Sequence, residues 1–292
     1  MNPQPTVYLT ERRPTVQARL PDGRVLEGPR GATLEAFIQA AELPADQRVV
    51  AALMNGRLRE LCFPLTEDAD LAPVTTATND GSRIYRRSLS FLMIAAAAEV
   101  LPGQVITIHH SMPFGGYYCE RGDGQRLSDE ELDLLRLCMR RLVDADLPID
   151  NIRVPLDEAL AFFQEQGDLE KADLFARRRK AYLTLYELNG VRDYFHGFMV
   201  PRTGYLDLFD LRHYDDGFIL QFPRRTWPNV LQPFEDEPRL AQVFQTYKDW
   251  LTIMGVGNVN SLNQAITSGR SSEVIMVAEA LHERQLASIA RA

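Results

Sequence analysis

The chain has 292 residues, 45% of them hydrophobic and 25% charged, which suits a globular protein of two compact units with a helical appendage. Its net charge of −8 disfavours a dedicated nucleic-acid binder while leaving room for a local basic patch. The longest apolar run, Phe91 to Val100, is broken by Glu99 and falls short of the ~18 residues a membrane span needs, and the opening MNPQPTVYLTERRP has no secretory character. With Cys62, Cys119 and Cys138 widely spaced and no CxxC pair, the expectation is a cytoplasmic protein with reduced thiols, no membrane association and no metal knuckle.

In chain order, residues 1–14 are polar, proline-flanked and expected to be disordered. VQARLPDGRVLEG then reads as a hairpin turning at Pro21-Asp22-Gly23, since both Asp and Gly tolerate positive φ. Thr33 caps a helix with Leu34, Phe37, Ile38 and Ala41 on one face, and VVAALMNGRLREL is a strand with its own Asn55-Gly56 turn. Leu71 to Gly81 reads as a joint. A helix follows from Arg83 to Val100, with Leu89, Leu92, Met93, Ala96 and Val100 in one stripe, stopped by Pro102-Gly103. VITIHHS and YYCERG are strands around Pro113–Gly116, and His109 and His110, adjacent on a strand, point to opposite faces and cannot chelate jointly. Ser128 with Glu131 forms a capping box for a helix carrying Leu132, Leu135, Met139 and Leu142.

Further helices are expected from Pro155 to Gln166 and from Leu169 to Lys180. Tyr182 to Phe222 reads as strands with turns at Asn189-Gly190, Thr203-Gly204 and Asp215-Asp216-Gly217; Asp207 and Asp210 are read as turn carboxylates. The tail from Glu237 to Ala292 reads as helical, with a Leu240, Val243, Phe244, Tyr247 stripe and a Val274, Val277, Ala278, Leu281 stripe. His196, His213 and His282 show no partner pattern. The basic run Arg177-Arg178-Arg179-Lys180 is either an RNA contact or a solvated helix end favoured by the macrodipole.

LPDGR at Leu20–Arg24, the helix-opening Thr33, MNG at Met54–Gly56 and LTEDADL at Leu65–Leu71 resemble a TGS domain, the β-grasp module at the front of threonyl-tRNA synthetases and of some GTPases and stringent-response enzymes. RSLSF at Arg87–Phe91, GGYYCE at Gly115–Glu120 and DYFHGFMVPRTGYLDLFDL at Asp193–Leu211 resemble the domain that follows it in threonyl-tRNA synthetases and edits mis-charged tRNA; DEALAFFQEQGDLEKADL looks like that family's helical insert, in which Lys171 matches a family lysine. The resemblance implies a site of two helical histidines at i and i+4 with a cysteine and a histidine from the later motif. Here those slots hold Arg87, Phe91, Phe195 and Met199. Guanidinium and phenyl groups neither ligate a metal nor act as general bases, and methionine is at best a soft, weak ligand. Metal-dependent hydrolysis is therefore not expected, no catalytic residue is assigned, and the adjacent Ser111 and His110 are poorly placed to activate one another.

YRRSLSFLM at Tyr85–Met93, VPRTGYLDLFDLRHYDDGFILQFP, WLTIMGVGNVNSLNQAI and EALHERQLASIA also resemble the N-terminal half of bacterial uridine-kinase-like nucleoside kinases of the phosphoribulokinase/uridine kinase family. A P-loop requires G-x-x-x-x-G-K-[ST], and none of the 18 glycines begins one. The expected architecture is α+β: a TGS-like β-grasp domain over 15–76, an editing-like α+β domain over 81–232, and a helical connector over 235–292. The leading functional expectation is a non-catalytic accessory or regulatory region of such a kinase, which as a whole would phosphorylate a pyrimidine nucleoside. ATP and magnesium would belong only to the absent kinase domain, and no cofactor is expected in this chain. Its partners would be that domain, a second copy of the chain, or a nucleoside or nucleotide, with nucleic acid disfavoured. Arg87, His110, Tyr117, Tyr118 and Asp193 are the residues expected to contact a ligand in the vestigial pocket. Arg83, Arg86 and Arg87, at the entrance of the helix, either form an anion or phosphate site in that pocket, or Arg87 fills space and pairs with Asp193 or another carboxylate. Tyr117, Tyr118 and Phe195 either stack on a base or fill the core. The alternative function is an RNA or tRNA-acceptor binding module that keeps the editing fold without hydrolysis; an active deacylase would require a transition metal.

Overall fold

The computed structural model describes residues 11–44, 46–236 and 238–291, the side chains of 238, 240, 241 and 245 excepted. The expected disorder of residues 1–14 lies outside the described residues up to position 10; beyond it, Arg13 pairs with Asp68, and Arg30 N–H donates to the Pro14 carbonyl at 3.0 Å.

The alternating residues of β1 (Thr15–Arg19) pair antiparallel with β2 (Val25–Pro29) across the Asp22-Gly23 turn. Thr33 caps α1 (Leu34–Ala40), its hydroxyl accepting from Ala36 N–H. β3 (Val49–Met54) and β4 (Arg57–Arg59) are joined by Asn55 and Gly56 at φ 49° and 74°, the left-handed pair that a two-residue hairpin turn requires. β5 (Ala69–Thr75) lies centrally in the order β2-β1-β5-β3-β4, parallel to β1 and antiparallel to β3. Leu34, Phe37 and Ile38 close one face of this β-grasp sheet over Val16, Ala18 and Leu71.

The joint expected at Leu71–Gly81 is shorter than the composition suggests. Strand β5 runs to Thr75, and α2 (Asn79–Val100) begins four residues before Arg83, because the Thr78 hydroxyl accepts from Gly81 N–H at 3.0 Å. β6 (Ile106–Met112) and β7 (Gly116–Arg121) form the next hairpin, and α3 (Asp129–Asp144) opens on the Ser128/Glu131 capping box. A strand not expected from the polar sequence DNIRVP, β8 (Asp150–Pro155), precedes α4 (Leu156–Glu165) and α5 (Leu169–Ala176). β9 (Tyr182–Leu188) turns through Asn189-Gly190 into β10 (Val191–Asp193). Thr203–Leu206, expected as a turn, is one 3₁₀ turn. β11 (Asp210–Tyr214) and β12 (Gly217–Gln221) complete an antiparallel sheet in the order β11-β12-β7-β6.

Three helices follow: α6 (Pro238–Met254), α7 (Val259–Thr267) and α8 (Ser271–Arg291). No residue of α8 is buried, the Val274 stripe included. Helix α5 ends at Ala176, so Arg178, Arg179 and Lys180 lie beyond it; Arg177 stands 3.7 Å from Asp173. Lys171 pairs with Asp168 at 3.0 Å.

The fold is α+β, as expected. Two compact units are defined: the described residues up to Asn151 with Tyr186–Phe234, and Ile152–Leu185 with the described residues from Glu235 on. The β-grasp segment and most of residues 81–232 thus belong to one unit, and Val50, Ala51 and Val74 share a core with Leu89, Leu92 and Met93 of α2. Asp207 and Asp210 are not mere turn residues: the Arg48 Nη2–H donates to Asp207 Oδ2 at 2.9 Å, and Arg136 Nε lies 3.1 Å from Asp210 Oδ1. His213 Nε2 is 2.9 Å from Asp129 Oδ1, and His196 Nδ1 is 3.5 Å from the Tyr194 hydroxyl. Among the described residues no helix is long and apolar enough to cross a membrane.

Candidate functional site

Helix α2 sets Arg87 and Phe91 one turn apart on one face, as i and i+4 require. Phe91 is fully buried, its ring centroid 5.1 Å from that of Phe195 at an interplanar angle of 54°, and Met199 is buried as well. Arg87 donates through Nη1 to the Phe198 carbonyl at 2.6 Å. It does not pair with Asp193, whose Oδ1 accepts from Tyr194 N–H, and no carboxylate lies in ion-pair range of Arg87 among the described residues. Burial pushes the Arg87 guanidinium below its usual range; Tyr186 and Tyr117 act upward, and Arg83 and Arg86 add repulsion. Gly197, at φ +107°, lets the guanidinium approach: a Cβ there would stand 2.8 Å from Arg87 Cζ. Gly197→Ala is expected to lower stability by about 1–3 kcal/mol, read as an earlier urea midpoint, because it combines backbone strain with displacement of Arg87.

The four slots are therefore filled by packing, and they do not fit a metal ion. No group of three or more His, Cys, Asp or Glu side chains is arranged to hold one among the described residues. Beside them stands a carboxylate that no motif in the sequence marks. Glu60, just past β4, is buried; its Oε1 accepts from the Tyr186 hydroxyl at 2.6 Å and Met199 N–H at 2.9 Å, and its Oε2 from Asn151 Nδ2 at 2.6 Å. Burial, then Glu60, pushes the Tyr186 hydroxyl well above the usual phenol range. The same two causes push the Cys62 thiol up to about 11, which keeps it out of nucleophilic chemistry at neutral pH.

The residues expected to meet in a vestigial pocket separate into two groups. Tyr117 and Tyr118 are consecutive in β7 and so face opposite sides of the sheet. Tyr117 packs edge-on against Phe222, with centroids 4.8 Å apart, on the side of Arg87. Tyr118 is buried, its ring centroid 5.2 Å from that of the half-buried His110 and 6.2 Å from that of the half-buried Tyr214. His109 and His110 do not point apart as plain alternation predicts. The β6–β7 register shifts between Ile108 and His110, and this bulge brings both rings to Tyr118, with His109 Nε2 2.9 Å from Glu120 Oε2.

The side chains best placed to act on a ligand lie elsewhere. A cavity of about 340 Å³ opens between the start of α2, the β6–β7 turn and the segment after β12. Four arginines line it, Arg83 and Arg86 from α2 and Arg224 and Arg225 from the later segment, with Asn79, Ser82 and Ser111 and no carboxylate. Arg225 is braced by Asn79 Oδ1 at 2.7 Å, and the Arg86 guanidinium lies over the Phe222 ring at 5.6 Å. Arg83 and Arg224 make no side-chain hydrogen bond or ion pair among the described residues. Four cations converging without a counter-charge make a strongly anion-attracting surface, although the whole chain carries −8. The sequence does hold a signal for its second half, the basic pair and aromatic of PRRTWP, 223–228.

The structure thus joins a β-grasp module to an α+β domain in which Arg87, Phe91, Phe195 and Met199 are packed into or against one core, with a cavity lined by four arginines. No protein-family model matches the chain. It is similar to the threonine–tRNA ligase of Rubrobacter xylanophilus, 31% identical over 195 residues, 66% of this chain and 30% of the ligase. It is likewise similar to that of Syntrophotalea carbinolica (29% over 197 residues, 67% and 31%) and to threonine–tRNA ligase 2 of Bacillus subtilis (27% over 197 residues, 67% and 31%). The chain thus spans about a third of the length of these relatives. They overturn the uridine-kinase reading: the relatives are tRNA ligases, and a kinase domain as partner has no support. The expectation that nucleic acid is disfavoured is corrected on the same finding, and its physical basis was a net charge that says nothing about where four arginines converge.

Proposed function

We propose that this chain is an RNA-binding module that takes the acceptor region of a tRNA without hydrolysing an ester on it. The arginine-lined cavity carries the reading: arginine forks match phosphate geometry, and no carboxylate in the lining competes. The similarity to tRNA ligases supports the choice of tRNA among polyanions. Loss of hydrolysis follows from Arg87, Phe91, Phe195 and Met199, none of which can ligate a metal well or take a proton from water.

The test is tRNA binding across a salt series, with the protein and with Arg83→Ala, Arg86→Ala, Arg224→Ala and Arg225→Ala combined. Removing each arginine that neutralises a phosphate should flatten the slope of log K against log salt by about 0.7–0.9, so the combined variant should bind far more weakly and with much less salt dependence. Equal affinity and slope for the combined variant would overturn the reading. A mis-acylated tRNA should decay in the presence of the protein no faster than in buffer.

A further inference from the structure

We propose that Trp227 is a stacking platform for an unpaired base whose phosphate occupies the arginine-lined cavity, so that this surface selects a single-stranded nucleotide segment over a duplex. The inference rests on the RNA-binding reading and adds the ligand's form. Trp227 is 58% exposed, and its indole makes no ring contact and no hydrogen bond among the described residues. One exposed tryptophan is ordinary by itself; its setting is not. It closes a tight turn, its backbone N–H donating to the Arg224 carbonyl at 2.9 Å, so that Arg224 opens the turn and Arg225 lies within it. Both ends of the segment are prolines, Pro223 and Pro228, which restrict the backbone.

The turn is also held from outside. Arg225 reaches Asn79 Oδ1, and Gly115, at φ +95°, lets Arg224 lie against the β6–β7 turn, where an added Cβ would stand 2.8 Å from Arg224 Cγ. An exposed indole is therefore carried on the same braced turn as two of the four arginines that line the cavity. An apolar protein partner would have to desolvate those cations without neutralising them. An acidic peptide would neutralise them but offer nothing planar. A nucleotide supplies both a phosphate and a π-face, and the face is free to stack only where the base is unpaired.

The sequence has two tryptophans, and Trp250 packs against Tyr247 in α6 with centroids 5.1 Å apart. Trp250→Phe in the full chain therefore leaves Trp227 as the sole indole reporter. A short oligouridylate titrated into this variant should quench its emission, and a blunt RNA duplex of equal length should bind more weakly and quench little. Trp227→Ala should bind the oligouridylate about tenfold more weakly with its salt slope unchanged, and Trp227→Phe should recover most of the affinity. Arginine-dependent RNA binding without quenching, and with Trp227→Ala at parental affinity, would overturn the stacking while leaving the RNA reading intact. So would a duplex that binds and quenches as well as the single strand, or a polyglutamate peptide that displaces the oligouridylate at equal charge. Absence of binding to every RNA would overturn both.

Discussion

Glu60→Ala is expected to cost about 3–5 kcal/mol of stability, because it strips a buried charged acceptor from three donors at once. Hydrogen bonds to a charged group contribute about 1.5–3 kcal/mol each, and they are not additive when they share one carboxylate. The Tyr186 hydroxyl keeps an alternative acceptor, the Gly197 carbonyl at 2.9 Å, whereas Met199 N–H is left buried and unpaired. Glu60→Gln preserves the shape but turns an amide N–H₂ toward either Asn151 or the Tyr186–Met199 pair. Rotation of the Asn151 amide relieves the first clash, so this variant should lose about 1–2 kcal/mol. Urea titration of the parent and both variants checks the order, and an alanine variant within about 0.5 kcal/mol of the parent, the effect of an ordinary surface change, would sink the account.

Phe91→Ala should destabilise by about 3–5 kcal/mol, since a fully buried ring that packs against Phe195 is removed from the middle of α2 and leaves a cavity in the core. For a unit of this size that corresponds to a melting temperature lower by on the order of 10 °C. The prediction separates two views of the site. If Phe91 merely caps an open pocket, truncation enlarges the pocket at little cost; if it is core, the protein loses much of its margin. Differential scanning calorimetry distinguishes them, and a melting temperature unchanged by the substitution would show that the slot is still an open site.

Features whose chemistry is confined to a few neighbouring residues are legible without coordinates. The Asn55-Gly56 hairpin, the Thr33 cap and the Ser128/Glu131 capping box need only two to four residues to satisfy turn geometry or orphan N–H groups, and each stands at its expected position. That Arg87, Phe91, Phe195 and Met199 make a poor metal-ligand set is legible for the same reason: side-chain identity alone decides what can ligate a metal. Less local features are not. Strand β8 carries only the two alternating apolar residues Ile152 and Val154, too short a signal to mark a strand without β9 beside it. The bulge at His109 depends on the register of the facing strand, which no periodicity within β6 records.

The sequence by itself determined the α+β class, the β-grasp module at the front, and most helix and hairpin positions. Tertiary structure alone decided what surrounds Arg87, Phe91, Phe195 and Met199 and which arginines share one cavity. Glu60 meets Tyr186 and Met199 across 126 and 139 residues, and Arg225 meets Asn79 across 146. Such contacts are set by how the sheets pack, while composition reports only the sum of charges. A chain of net charge −8 can therefore hold a cavity whose charged lining residues are all arginines, because attraction at a site depends on the distances between charges as well as on their total.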